Sequence, residues 1–256
     1  MPTKKTKEEI EILKEGGHIL AEILKQLAER VAPEVTTEEL NDLALKLTEQ
    51  YDAEPVLLGY KPDFGPHPYP AAICTSVNDV VQHGIPKPDE VLKEGDIIDL
   101  DMSIGFKGLI VDSGLTVPVG TTDSESQRLI DVTKKARSIG IDAARPGNHT
   151  GDIGHAIETY VHKQGFSIVE VLCGHGVGYA VHEDPMIPNF GKAGTGTMIE
   201  VGHVYAIEPI INAGKKDVVF DDDGDGYSVF TKDGSRSAHF EHTVAILENG
   251  PLVLTV

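Results

Sequence analysis

The chain has no tryptophan, two cysteines among 256 residues, and barely half as many basic as acidic side chains, 22 Lys and Arg against 41 Asp and Glu. Each scarcity excludes a class of protein. Cys74 and Cys173 lie in unrelated contexts with no CxxC spacing, which rules out a disulfide framework and a zinc ribbon and fits a reducing compartment. The formal net charge of −19 argues against a nucleic-acid backbone as partner. No apolar run approaches the roughly 18 residues of a membrane span. The opening MPTKKTKEEIEIL passes from a few lysines straight into an acidic amphipathic segment. A soluble, cytoplasmic protein with no membrane partner is expected.

What is present is an ordinary globular composition, 40% hydrophobic and 25% charged, with no linker dividing the chain; one domain over residues 1–256 is expected. Thr6 with Glu9 has the spacing of a capping box, and Ile10, Leu13, Leu20, Ile23, Leu24 and Leu27 follow at helical intervals. Thr36 with Glu39 repeats the signal before Leu40, Leu43, Ala44 and Leu47, in a helix ending near Tyr51. Five prolines within 54–70 predict an ordered loop. Alternation over residues 97–104 predicts a strand, and a second runs from Leu109 to Val119. Helical periodicity returns at 124–144 and around 153–161, followed by strands at about 166–172, 203–211, 217–222, 227–231, 238–247 and 251–255. The order is α+β, with a helix pair and then strands in each of two blocks, which hints at a duplicated layout.

Asp101 and Asp112 flank the turn Gly105-Phe106-Lys107-Gly108. A hairpin closed with Gly105 opposite Gly108 sets the two aspartates directly across from each other, a spacing that calls for a cation or a shared proton. The loop CGHGVGYAVHEDP, residues 173–185, carries His175 among glycines and His182 seven residues on. Glu208 in VYAIEPII and Glu241 in AHFEHTVAI are acids within apolar strands, costly to bury unless paired or coordinating. Two Asp, two Glu and one His together suit a pair of divalent ions such as Mn, Fe, Co or Zn bridged by a shared hydroxide. His83, in SVNDVVQHGIP, and His182 are left over as acids or hydrogen-bond donors to substrate.

SVNDVVQHGIP, the Asp101–Asp112 spacing, CGHGVG with a following VHE, AIEP and AHFEHT occur in one order along nearly the whole chain, which thereby resembles the type I methionine aminopeptidases. The resemblance implies a pita-bread fold, two pseudo-symmetric α+β halves around a curved antiparallel sheet. It implies removal of N-terminal methionine from peptides and nascent proteins, preferentially before a small second residue, by a hydroxide shared between two metal ions. Asp101, Asp112, His175, Glu208 and Glu241 become the ligands of those ions (Co, Mn, Fe or Zn), with Asp112 and Glu241 bridging and Glu208 also taking the proton of the attacking water. His83 falls near the peptide nitrogen and His182 at the scissile carbonyl. Tyr69, Cys74, His67 and Tyr227 fall at the methionine side-chain pocket and its mouth. A monomer meeting chains at the ribosome is expected. Gln82, Val181, Tyr227 and His239 replace the usual Cys, Phe, Trp and Gln, which bears on the breadth of the pocket.

Three rival readings fit parts of the sequence less well. Asp221, Asp223, Asp225 and Gly226 open like a calcium loop, but its twelfth position is Lys232 and its flanks read as strands. A prolidase-type enzyme usually carries an extra N-terminal domain, for which this chain leaves no room. A metal-free binding protein on the same fold has no reason to keep all five ligands.

Overall fold

The computed structural model describes residues 2–62, 65–221 and 224–256. Helix α1 (Lys7–Arg30) begins where Thr6 closes its capping box, the hydroxyl accepting from the Glu9 N–H at 3.2 Å and the Thr6 N–H donating to Glu9 Oε2 at 2.7 Å. α2 (Thr37–Gln50) begins the same way at Thr36 and Glu39. Then come β1 (Glu54–Pro55), β2 (Cys74–Val77), β3 (Val80–Gln82) and a long hairpin, β4 (Ile97–Phe106) and β5 (Leu109–Pro118). The apolar stripe of α1, from Ile10 to Leu27, packs with Leu40 of α2 onto Ile98, Leu100, Met102 and Ile104 of β4.

The second half repeats the plan with α3 (Ser124–Ala143) and α4 (Thr150–Gln164), followed by β6 (Ser167–Ile168), β7 (Gly174–Gly176) and β8 (Glu183–Ile187). β9 (Val204–Ile207), β10 (Ile210–Asn212), β11 (Val218–Phe220), β12 (Val229–Thr231), β13 (Ser237–His239), β14 (His242–Leu247) and β15 (Gly250–Val253) complete it. Here Leu129, Ile153 and Ile157 from the helices bury Tyr205, Ile207 and Val244 from the strands. All the ladders are antiparallel.

The halves meet along β5. Leu115 bridges Phe240, and the Glu241 N–H donates to Gly114 O at 2.9 Å. The Thr243 hydroxyl accepts from Asp112 N–H at 2.9 Å and donates to Asp112 O at 2.7 Å. Asp112 from one half and Glu241 from the other are therefore laid side by side by one backbone hydrogen bond and the two that the Thr243 hydroxyl makes to the Asp112 backbone.

Three features differ from the sequence expectation. The β4–β5 turn is Lys107-Gly108, with φ of 49° and 80°, the two positive values that a tight type I′ turn requires. Asp112 consequently faces Ser103 and Asp101 faces Gly114, so the aspartates are diagonal rather than direct neighbours. A shift of two residues preserves the period-two face, and both still point to the same side. The expected strands 203–211 and 238–247 are each broken, the first at Glu208-Pro209 and the second at Phe240-Glu241. Pro209 has no N–H to continue a ladder, and both chains change sheets there: β9 pairs β14, and β10 pairs β13. The register is continuous across the break, with Ile207 facing His242 and Ile210 facing His239, which sets Glu208 opposite Glu241. Finally, β2, β3, β7 and β8, and the short β1 within the expected 54–70 loop, go beyond the strands the sequence predicts. β11 and β12 pair antiparallel, and the Asp225 carboxylate accepts from the N–H groups of Tyr227 and Ser228; strand flanks are the wrong frame for a calcium loop. Asp223 lies outside the described residues. Among the described residues no helix is long and apolar enough to cross a membrane.

Candidate metal centre

β4 presents two buried faces. Ile98, Leu100, Met102 and Ile104 face the helices, and Ile97, Asp99, Asp101 and Ser103 face the other way, toward the seam. β5 adds Asp112, the sheet-changing corners add Glu208 and Glu241, and β7 adds His175. Asp112, Glu208 and Glu241 are buried, at 5%, 8% and 2% exposure. His175 Nε2 lies 3.3 Å from Glu208 Oε1 and 4.0 Å from Asp112 Oδ2. Its Nδ1 stands 2.9 Å from Gly176 O, an acceptor only, so Nδ1 carries the proton and Nε2 turns a lone pair to the carboxylates. Asp112, His175 and Glu241 each offer a ligand atom within 4.8 Å of the others. All five expected ligands line one cavity of about 700 Å³.

β7 runs between β8 and β9, and a Cβ on Gly174 would stand 2.3 Å from Ala206 O, so only glycine lets His175 reach the centre at this depth.

Burial raises the carboxyl groups of Asp101, Asp112, Glu208 and Glu241, and for Asp101, Glu208 and Glu241 the neighbouring carboxylates push further in the same direction. Asp112 Oδ1 and Glu241 Oε1 are buried with no hydrogen-bond partner among the described residues. Four crowded carboxylates with orphaned oxygens and an imidazole lone pair are the donor set of oxygen-seeking divalent ions, and the residues fit such a group. The His175 ring is pushed down to about 4, first by burial, and is already neutral well below pH 7. Metal uptake must therefore displace protons from carboxyl groups and none from His175. Affinity is expected to tighten as pH rises, and calorimetry in buffers of different ionisation enthalpy should detect released protons; uptake without pH dependence would contradict the carboxylate assignment.

A further pair stands behind the centre. Asp99, two residues before Asp101 on the same face, is 3.2 Å from His239 Nδ1. Burial disfavours charge on His239, but Asp99, Asp101 and Glu208 outweigh it and raise the ring to about 9. Gly114 makes room, since a Cβ there would lie 2.6 Å from His239 Cε1. Period two would have found Asp99 once Asp101 was singled out; sequence reasoning stopped at one acid per strand.

The cavity joins the remaining candidates. His83 and His182 line it, as do Tyr69, Cys74, Gln82, Val181 and Tyr227. The His83 backbone has φ 59°, an unusual conformation outside glycine, and its ring is lowered to about 4 by burial and by the rings of His182, His239 and His175. The His182 ring packs edge-on to His175 at 4.5 Å, and its Nδ1 meets Tyr60 OH at 2.9 Å. Tyr69, Cys74, Val181 and Tyr227 form one apolar wall with Leu57, Tyr69 donating to Gly84 O at 3.0 Å. His67 does not line the cavity; its ring props Tyr227 edge-on at 5.3 Å, and the Tyr227 hydroxyl donates to His67 O. Leu57, Tyr60 and Cys173 line the cavity and were not foreseen.

A family model described as metallopeptidase family M24 matches residues 11–248. The chain is 45% identical over 251 residues to a methionine aminopeptidase of Aquifex aeolicus, an alignment covering 96% of each chain. The crystal structure of a methionine aminopeptidase from Thermotoga maritima superposes with a TM-score of 0.94 at 38% identity, covering 100% of this chain and 99% of that one. A prolidase from Pyrococcus furiosus superposes at 0.76 with 22% identity, covering 99% of this chain and 65% of that one. The architecture is the pita-bread fold of these enzymes.

Proposed function

The chain belongs to metallopeptidase family M24 and is a metal-dependent aminopeptidase of that family; from this premise we propose that it removes the N-terminal methionine of peptides and nascent proteins, preferentially before a small second residue. The observation that carries the reading is that Asp112, His175 and Glu241, whose ligand atoms lie within 4.8 Å of one another, share with Asp101 and Glu208 the lining of one cavity with an apolar wall. Asp101, Asp112, His175, Glu208 and Glu241 would hold a pair of divalent ions, Co, Mn, Fe or Zn, with the Asp112 and Glu241 carboxylates, laid side by side at the seam, serving both. When bound, such ions make water nucleophilic near neutral pH and polarise a carbonyl.

The residues of the chain supply the rest. Leu57, Tyr69, Cys74, Val181 and Tyr227 take the first side chain, while the negative floor draws in the cationic α-amine. An internal peptide bond offers no amine at that depth, which confines cleavage to the first bond. Glu208 accepts the proton of the attacking water. His83, neutral at working pH, lies by the peptide nitrogen, and His182, steadied by Tyr60, donates to the carbonyl oxygen as charge develops there. We place this activity in the cytoplasm, in a single-domain monomer acting on chains that leave the ribosome.

The test is product analysis with Met-Ala-Ser, Met-Leu-Ser and Ala-Pro-Ala. Release of methionine chiefly from the first is expected. Cleavage only before proline would move the chain to the prolidase activity, whose relatives share its fold.

A further inference from the structure

The loop that carries His182 is tied down from the far end of the chain. Lys5 Nζ donates to Glu183 Oε2 at 2.7 Å, with side-chain exposures of 1% and 9%, an ion pair buried on both sides. Glu183 also accepts from the Thr3 hydroxyl and, through Oε1, from the N–H groups of Tyr179 and Ala180. The Lys5 ammonium lies 4.3 Å over the Tyr179 ring, the Tyr179 hydroxyl donates to Glu9 Oε1 at 2.9 Å, and the Lys5 N–H donates to Gly202 O at 2.8 Å. Space is reserved for this strap: Gly178 has φ 138°, and a Cβ there would stand 2.4 Å from Lys5 Cε. The last glycine of the CGHGVG run thus clears the lysine stem, whereas Gly174 clears the neighbouring strand.

Glu183 is the residue after His182, and the carboxylate that Lys5 holds caps the N–H groups of the loop leading into that histidine. We propose that Lys5 is a positioning residue for His182: through Glu183 it fixes the 178–183 loop, and with it the placement of the ring between His175 and Tyr60. The N-terminal strap is in this account part of the reaction apparatus, acting where the carbonyl of the first peptide bond is held. A buried charge that loses its partner is expensive, so the loop without Lys5 must move Glu183 toward water and carry His182 along.

The kinetic part rests on the proposed methionine-releasing activity and uses the metal-loaded full chain. Lys5→Met is expected to lower kcat on Met-Ala-Ser roughly tenfold or more while KM and bound metal stay within about twofold. Lys5→Arg, which keeps the charge, should recover most of the loss. In a His182→Ala background Lys5→Met should cost little further, because the route runs through that ring; equal losses in both backgrounds would overturn the proposal. A second arm needs no activity. In metal-free protein with 13C-labelled histidine Cε1, Lys5→Met should shift the His182 resonance, assigned by its loss in His182→Ala, and leave that of His83 in place. An unmoved His182 signal in a folded variant overturns the positioning role even if methionine release itself is never observed, and methionine release failing in the wild-type chain with a shifted signal would count against the proposed activity alone.

Discussion

Glu241→Gln is expected to cut methionine release by about a thousandfold or more and to lower the number of ions bound per chain, while the metal-free protein stays as stable as the wild type or becomes more so. The substitution keeps the volume of a side chain that is 2% exposed and removes a carboxyl group whose ionisation burial and the neighbouring Asp112, Glu208, Asp101 and Asp99 already oppose. Without a cation the four crowded carboxyl groups of the centre ionise only against burial and mutual repulsion, so their arrangement is sustained for metal rather than for folding. Metal stoichiometry, turnover and thermal unfolding with and without chelator check the three parts. Full metal content with turnover within tenfold of wild type would remove Glu241 from the centre.

The second large effect falls on a residue without a side chain. Gly174→Ala places a Cβ 2.3 Å from Ala206 O, an atom fixed in the β7–β9 ladder, and also 3.4 Å from Ile187 Cβ on the other side. A backbone oxygen cannot rotate away as a side chain does, so the strands must part. A loss of about 3 kcal/mol is expected, which in a domain of this size lowers Tm by roughly 6–12 °C. His175 is the next residue, so metal affinity should fall with stability. Melting curves of the metal-free and metal-loaded variant separate the two, and a variant melting within a degree or so of wild type in both forms would contradict this packing.

How far the molecule was readable beforehand varies from element to element. Both capping boxes form as their spacing predicts, and the six apolar positions of α1 are all buried, because helix signals are local and repeat every turn. The alternation of β4 and β5 predicts the two strands, but a turn at Phe106-Lys107 predicts the wrong register for their pairing. Gly105-Phe106-Lys107-Gly108 was expected to turn at Phe106-Lys107, whereas the left-handed conformation falls on Lys107 and Gly108. A lysine with positive φ is an uncommon choice that spacing alone does not reveal. The error cost little at the site because side chains alternate with period two. Glu208 and Glu241 were recognised as unusual acids in apolar strands, but each lies at a corner where the chain passes between sheets, and Pro209 was the visible sign of the first corner. The partnership of Asp99 with His239, the Thr243 clamp on Asp112 and the reach of Lys5 to Glu183 join residues more than a hundred positions apart. Such contacts are set by how the two halves dock and leave no periodic trace. The glycines of CGHGVG are plain in the sequence, but nothing there tells that Gly174 clears a strand and Gly178 a lysine.

The measurement that bears most directly on the central claim is a titration of chelator-stripped protein with Mn, Co, Fe or Zn, following ions bound and methionine released from Met-Ala-Ser in the same samples. The account predicts no release without metal, recovery that saturates at two ions per chain, and loss of both binding and recovery when Asp112 is replaced by Asn. Release undiminished in fully stripped protein, or in Asp112→Asn, would contradict it.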